Sequence, residues 1–293
     1  MTQVLVIGAG FMGAGIAQVC AQAGCAVHLT DVSAQALERA MKGMSRSLER
    51  LGAKGLLTDS PAEVLARVSL QSGLSSAAQA DWVIEAALEI ESLKLELFGE
   101  LGRLAPAGTP LASNTSSIPI SRLAAATAHP ERVLGLHFFG PVPLMGLVEV
   151  VKADQTSPEV FARGVDFIRS LGKTPVKVEK DLPGFVMNRI FGAAFREAAD
   201  LVAAGVVTPE DADAGMKLGY GWNAGPFEIA DNAGLDTFAL IGEFMKAMGE
   251  DDLVPRSDLV PRLVAQGRLG RKTGHGFYRY SAEGKRLPAD STE

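Results

Sequence analysis

The chain carries four histidines among 293 residues, and one of them, His137, stands twelve positions before Glu149 in the apolar stretch "HFFGPVPLMGLVEV". A histidine titrates near neutrality, so it can take the proton of an alcohol while a hydride leaves the alcohol carbon. A carboxylate on the far ring nitrogen would fix the tautomer and favour the charged ring. Taken alone, His137 also fits a satisfied core or surface histidine, and Glu149 a paired carboxylate in a strand. A second set of residues points the same way. "GAGFMG" gives Gly8, Gly10 and Gly13 the Gly-x-Gly-x-x-Gly spacing directly after the apolar run "VLVI". The first glycine permits a tight turn, the second a close approach of pyrophosphate to the backbone, and the third close helix–strand contact. Unpaired N–H groups at the helix start then hold the anion. Asp31, eighteen residues past Gly13, ends the next strand-like run and is not followed by an arginine. A carboxylate there accepts both ribose hydroxyls and repels a 2′-phosphate, so NAD is expected rather than NADP.

These residues need elements to position them. "VLVI" (4–7), "AVHLTD" (26–31), "WVIEA" (82–86), "PLAS" (110–113), "VLGLHF" (133–138) and "LVEVV" (147–151) read as short strands. Helical patterns over 13–23, 34–52 and 92–104 separate several of them, the alternation of a doubly wound α/β domain. His137 then falls near the carboxyl end of a strand, where such folds open their crevice. Beyond "PVKVEKDLPG" the texture changes: 185–204 is one long helical pattern, and "TPEDADAGMKLG" begins with Thr208 as N-cap and Pro209 at the first helical position. Helical sequence joined by glycine-rich turns continues to about residue 268. Pro183 and Gly184 mark a turn between an N-terminal Rossmann-like dinucleotide-binding domain (1–183) and a mainly α-helical C-terminal domain (184–293). The polar tail "SAEGKRLPADSTE" is expected to fray.

Composition narrows the class. Lys plus Arg number 28 against 34 Asp plus Glu, a net charge of −6 without long single-sign runs, which argues against nucleic acid or an anionic membrane as partner. Cys20 and Cys25 make neither a disulfide framework nor a metal-ligand pattern, and this usage fits a reducing cytoplasm. The glycine-rich start has no basic leader region and is interrupted by Gln18 and Gln22, so it reads as globular rather than as a targeting or spanning segment.

The blocks "VIGAGFMGAGIAQVCAQAG", "VIEAALE", "SNTSSIPI", "HFFGPVPLMGLVEV", "DLPGFVMNRI", "GPFEIADNAGLDT" and "GRKTGHGFYRY" together resemble the 3-hydroxyacyl-CoA dehydrogenase family, including its short 3-hydroxybutyryl-CoA members, across nearly the whole chain. The resemblance implies that His137 is the catalytic base, Glu149 its partner, and Ser116 a contact to substrate and cofactor, with Asn188 in the same active site. It implies NAD contacts along the glycine motif (Gly8, Gly10, Phe11, Met12, Gly13), and from Asp31, Ala86, Glu89, Lys94, Ser116 and Lys272. Ser47 and Lys54 match CoA contacts, and the family is typically dimeric through its helical domain. Read from the residues alone, Ser116 and Asn188 can hold a substrate oxygen or simply cap a helix or tie down a loop. Lys94, Lys272 and Lys54 equally fit solvated positions.

Two positions depart from the family pattern. Gly140 stands where "HFFNPVP" has a ligand-contacting asparagine, and Gly146 where a lysine is common. The first is expected to leave room for a bulkier 3-hydroxyacyl group, with water in the vacant polar role, or to reflect another hydroxy acid. The leading expectation is NAD-dependent oxidation of a 3-hydroxyacyl-CoA to the 3-oxoacyl-CoA. A neighbouring reading is a dehydrogenase of a free hydroxy acid or hydroxy-aromatic acid on the same fold. A non-catalytic NAD-binding protein would keep "GAGFMG" and Asp31 while losing the histidine–glutamate pair, and both are kept here.

Overall fold

Short apolar runs covered on both faces become the inner strands of one sheet. In the computed structural model, which describes residues 1–288, the chain forms two units, Met1–Phe185 and the part from Val186 onward. The first contains β1 (Gln3–Ile7), β2 (Ala26–Thr30), β3 (Val68–Gln71), β4 (Trp82–Glu85), β5 (Leu111–Ser113), β6 (Val133–Phe138), β7 (Leu147–Lys152) and β8 (Thr174–Val178). Its helices are α1 (Phe11–Gln22), α2 (Ala34–Ala53), α3 (Pro61–Ala66), α4 (Glu91–Leu104), α5 (Ile120–Ala125) and α6 (Pro158–Ser170). The strands lie in the order β3-β2-β1-β4-β5-β6-β7-β8. Those from β1 to β6 run parallel. Chain order reverses between β1 and β4, and in open α/β sheets ligands bind beyond the carboxyl ends of the strands at such a point.

β7 runs antiparallel to β6, because the loop between them, residues 139–146, is too short for the crossover of a dozen or more residues that a parallel connection needs. β3 and β8, which the hydrophobic pattern does not reveal, are the two edge strands. Their mixed sequences "VSLQ" and "TPVKV" each bury one residue, Val68 and Val178, and the proline of β8 is tolerated at an edge where no ladder bond is lost. α1 begins at Phe11, two residues before the expected start, with Gly10 as its N-cap. α2 buries Leu37, Ala40, Met44, Leu48 and Leu51 at helical spacing and leaves Lys42, Arg46 and Arg50 on its exposed side.

The second unit consists of α7 (Met187–Ala203), α8 (Pro209–Tyr220), α9 (Pro226–Ala233), α10 (Leu235–Ala247) and α11 (Leu259–Ala265). Thr208 caps α8 through its side chain, with Pro209 at the first position, as the sequence predicts. An aromatic core gathers around Phe195, which lies 5.0 Å from Phe238 and 5.9 Å from Phe227 between ring centroids. Two buried carboxylates fasten this core. Asp213 accepts the N–H groups of Phe227 and Glu228, at the start of α9, and the Tyr278 hydroxyl. Asp231 accepts the N–H groups of Phe277 and Tyr278 and the Tyr280 hydroxyl. Burial raises both carboxyls above their ordinary range against the opposing pull of these donors. A Cβ on Gly276 would lie 2.1 Å from Asp231 Oδ1, and one on Gly225 would lie 2.3 Å from Asp213 Oδ1. Gly276 of "GHGFYRY" and Gly225 of "GPFEIAD" are therefore explained by these carboxylates. The tail expected to fray is tied back in its described part, where Tyr280 bridges Arg286 and the Leu287 N–H donates to the Arg279 carbonyl at 2.8 Å. Residues 289–293 of that tail lie outside the described residues. Among the described residues, no helix is long and apolar enough to cross a membrane.

Candidate active site

The turn after β1 separates the three glycines by role. Gly8 has φ 99°, and its N–H donates to the Thr30 carbonyl at 2.8 Å. A Cβ on Gly8 would come within 2.5 Å of the Ala86 carbonyl oxygen, and one on Gly13 within 1.8 Å of the Gly8 oxygen. These two are steric necessities of the turn. Gly10 caps α1 with no side-chain hydrogen bond, and the space its Cβ would take is open. Open space beside the unpaired amides of a helix start is a seat for an anion. Asp31 accepts the Ala9 N–H at 2.7 Å and the Ser33 N–H at 2.8 Å, one on each oxygen. It thereby ties the glycine turn to the start of α2, a duty its position in the sequence does not reveal. Each carboxylate oxygen has a second lone pair for a ribose hydroxyl. An anion seat next to an acceptor-only carboxylate fits a dinucleotide.

Behind this turn lies an ionic cluster. Glu85, at the end of β4, is fully buried, and so is Lys94 on α4. Lys94 Nζ lies 2.6 Å from Glu85 Oε1 and 3.3 Å from Glu89 Oε2, and it donates to the Ala87 carbonyl at 3.4 Å. Glu85 also accepts the Ala87 N–H at 2.7 Å and the Ser113 hydroxyl at 2.6 Å. Glu89 accepts the Ser116 N–H at 3.2 Å, the Ser117 hydroxyl at 2.8 Å and the Thr115 hydroxyl. Burial pushes the Glu89 carboxyl up, but Lys94 and the hydroxyls outweigh it and hold it below the usual range. One expectation for Lys94 is corrected: it is not a solvated helix residue but a buried one, held by Glu85, Glu89 and the Ala87 carbonyl. It holds Glu89, and through Glu89 the loop that carries Ser116. The sequence signal for Glu85 is a lone acid in the strand "WVIE", nine residues before Lys94.

His137 and Glu149 are directly opposite each other in the β6–β7 register. Opposed residues of antiparallel strands project to the same face, which is why a spacing of twelve residues becomes a contact of 2.7 Å between His137 Nδ1 and Glu149 Oε2. Glu149 is 0% exposed and His137 6%. An ionised carboxylate only accepts, so Nδ1 carries the proton and Nε2 the basic lone pair. The imidazole lies 4.6 Å from the ring of Phe139 and 5.6 Å from that of Phe185, centroid to centroid. Phe185 is a non-glycine residue in left-handed backbone, φ 49°, buried in the turn after Gly184. Strain of this kind persists where surrounding packing over-determines it. Lys173 donates to the carbonyls of Val142 at 2.7 Å and Met145 at 2.6 Å, fixing the loop that joins the pair. The Phe138 N–H donates to Asn114 Oδ1 at 2.9 Å, joining the ends of β6 and β5.

The space beside Gly140 is not empty. A Cβ there would lie 2.6 Å from Cε1 of Phe11 and 3.4 Å from Met12 Sδ, so the phenyl ring of Phe11 takes the space. The room expected beside Gly140 is occupied here by that ring. Gly146 has open space around it, and nothing in the structure explains its replacement of a lysine.

The carboxyl edge of the sheet gathers Gly8, Gly10, Asp31, Ala86, Glu89, Ser116 and His137, with Glu149 across from His137. Ser116 is half-buried. On α2, Ser47 is half-buried, and Lys54, its C-cap, continues the exposed four-residue series of Lys42, Arg46 and Arg50. Asn188 and Lys272 belong to the second unit. Asn188 is a half-buried residue in the first turn of α7, and Lys272 pairs with Asp236 at 2.6 Å.

The family described as "3-hydroxyacyl-CoA dehydrogenase, NAD binding domain" matches residues 3–182, and "3-hydroxyacyl-CoA dehydrogenase, C-terminal domain" matches 184–280. The chain is 45% identical to the "Probable 3-hydroxybutyryl-CoA dehydrogenase" of Deinococcus radiodurans, over 94% of this chain and 99% of that one. It is 44% identical to the mitochondrial hydroxyacyl-coenzyme A dehydrogenase of Rattus norvegicus, over 94% and 90%. The crystal structure of the (S)-3-hydroxybutyryl-CoA dehydrogenase of Ralstonia eutropha superposes with a TM-score of 0.89 at 40% identity, covering 96% of this chain and 99% of that one. The sheet edge with its glycine turn and histidine–glutamate pair, and the two matches that span both units, establish that the chain belongs to the 3-hydroxyacyl-CoA dehydrogenase family, NAD-dependent oxidoreductases.

Proposed function

We propose that the protein oxidises a 3-hydroxyacyl-CoA to the 3-oxoacyl-CoA, with His137 as general base and Glu149 as its positioning partner. The observation that carries this reading is the 2.7 Å contact between His137 and Glu149, at the same sheet edge as Gly10 and Asp31. The chemistry NAD supplies when bound is acceptance of the hydride that leaves C3. His137 Nε2 takes the 3-hydroxyl proton, and the buried carboxylate of Glu149 stabilises the imidazolium that forms. Ser116 holds the substrate oxygen as negative charge develops on it. The exposed cations of α2, ending in Lys54, meet the phosphates of CoA, with Ser47 beside them. The same reading makes the protein a homodimer through its helical unit, where Leu218, Tyr220 and Leu240 are 89%, 79% and 66% exposed. Its compartment is reducing, in keeping with the free thiols of Cys20 and Cys25.

The test is NADH formation from a panel of CoA thioesters and the matching free acids. Thioesters are expected to be the better substrates, and Lys54→Ala is expected to raise KM more than it lowers kcat, the pattern of uniform binding lost far from the reacting carbon. A free acid that outperforms its thioester, with CoA failing to compete, overturns the substrate assignment. Cofactor choice rests on Asp31. The wild type is expected to prefer NAD, and Asp31→Ala to narrow that preference, because the carboxylate no longer repels a 2′-phosphate. Removing it also releases the Ala9 and Ser33 amides, so KM for NAD should rise as well. Equal kcat/KM with NAD and NADP in the wild type would contradict this role.

A further inference from the structure

We infer that Phe11 and Gly140 act as one coupled position that seats the nicotinamide end of the cofactor, an inference that rests on the NAD-dependent reading above. α1 places Phe11 and Gly15 four residues apart, hence on one face. Both meet the loop that leaves His137. A Cβ on Gly15 would lie 2.8 Å from Val142 Cβ and 3.6 Å from Pro143 Cδ, and a Cβ on Gly140 would lie 2.6 Å from the Phe11 ring. Each surface therefore uses a glycine to receive a side chain of the other: Gly140 receives Phe11, and Gly15 receives Val142. The helix whose amides form the anion seat is in this way packed against the loop that joins the base to its carboxylate, and Lys173 holds that loop from the other end.

Despite this contact Phe11 is 71% exposed. The ring is braced along one edge and open over the rest. It stands between the open space at Gly10 and a residue three past His137. A dinucleotide with its pyrophosphate on the helix start and its reactive ring before His137 must run past that open face. The phenyl ring then offers an apolar wall to the nicotinamide end. Any side chain at 140 would displace the ring from its brace toward the path of the cofactor. Gly140 thus bears on how the cofactor is held and not on acyl length.

Calorimetric titration of NADH and of ADP-ribose, which lacks the nicotinamide ring, tests this without turnover. Gly140→Asn is expected to weaken NADH on the order of tenfold, the scale of an overpacked contact, and ADP-ribose by less than about threefold. Phe11→Leu/Gly140→Asn, which restores the lost volume, is expected to bring NADH back to within about threefold of wild type, a non-additive result. Phe11→Leu alone changes an exposed side chain, so the fold tolerates it, and is expected to weaken NADH roughly threefold with less effect on ADP-ribose. The pairing is overturned if Gly140→Asn binds NADH as the wild type does, if both ligands weaken equally in it, or if the double variant is additive. A wild type that binds neither ligand overturns the NAD reading itself and this inference with it.

Discussion

Replacing His137 by glutamine is expected to lower turnover on the order of 10²–10⁴-fold while NAD affinity changes little. The glutamine amide can still donate to Glu149, which is 0% exposed, so the substitution removes the basic ring nitrogen and keeps a donor for the buried carboxylate. The anion seat at Gly10 and the Asp31 carboxylate lie just beyond other strands, β1 and β2, and keep their geometry. Glu149→Gln is expected to produce a smaller fall, since a neutral amide can orient the ring but cannot stabilise imidazolium to the same degree. Steady-state assays with both variants, together with NADH titrations, check this. Near-normal turnover in both, with chemistry shown to be rate-limiting, would remove the pair from the mechanism.

The second large effect concerns stability. Lys94→Met is expected to cost about 3–5 kcal/mol, because it leaves the buried Glu85 carboxyl without its cation. For a unit of this size that corresponds to a fall in Tm of roughly 10 °C. The contrast is with a surface pair such as Arg169–Asp166, whose side chains are 58% and 74% exposed and whose loss should cost about 0–1 kcal/mol. Adding Glu85→Gln to Lys94→Met should recover part of the loss, since the second change removes the orphaned charge. Thermal and urea unfolding of the three variants reads this directly. A Lys94→Met variant as stable as wild type would mean that the ammonium does not hold the cluster. Turnover should fall in Lys94→Met as well, because Glu89 then has less to anchor it and Glu89 holds the Ser116 loop.

The strands that carry the site were legible because they are buried on both faces and therefore read as apolar runs. β3 and β8 were not, because an edge strand keeps polar residues on its open side. The pairing of His137 with Glu149 was legible as a juxtaposition of residue types, but the register that puts them face to face depends on the length of the loop between them. Glu85 and Lys94 show a different limit. Their contact joins a strand end to the next helix, and in sequence the lysine looks like any exposed helical cation. Gly140 shows a third. Its meaning lies in the ring of Phe11, far away in the chain, so a missing side chain read from sequence alone looks like a cavity when another residue fills it.

The measurement that tests the central claim most directly is the fate of the C3 hydrogen. With 3-hydroxybutyryl-CoA deuterated at C3 and unlabelled NAD, mass spectrometry should find the deuterium on the nicotinamide ring of the NADH formed, and Gly140→Asn should not change where the label goes. Label released to water, or NADH formed without deuterium, would contradict hydride transfer from that carbon and with it the assigned role of His137.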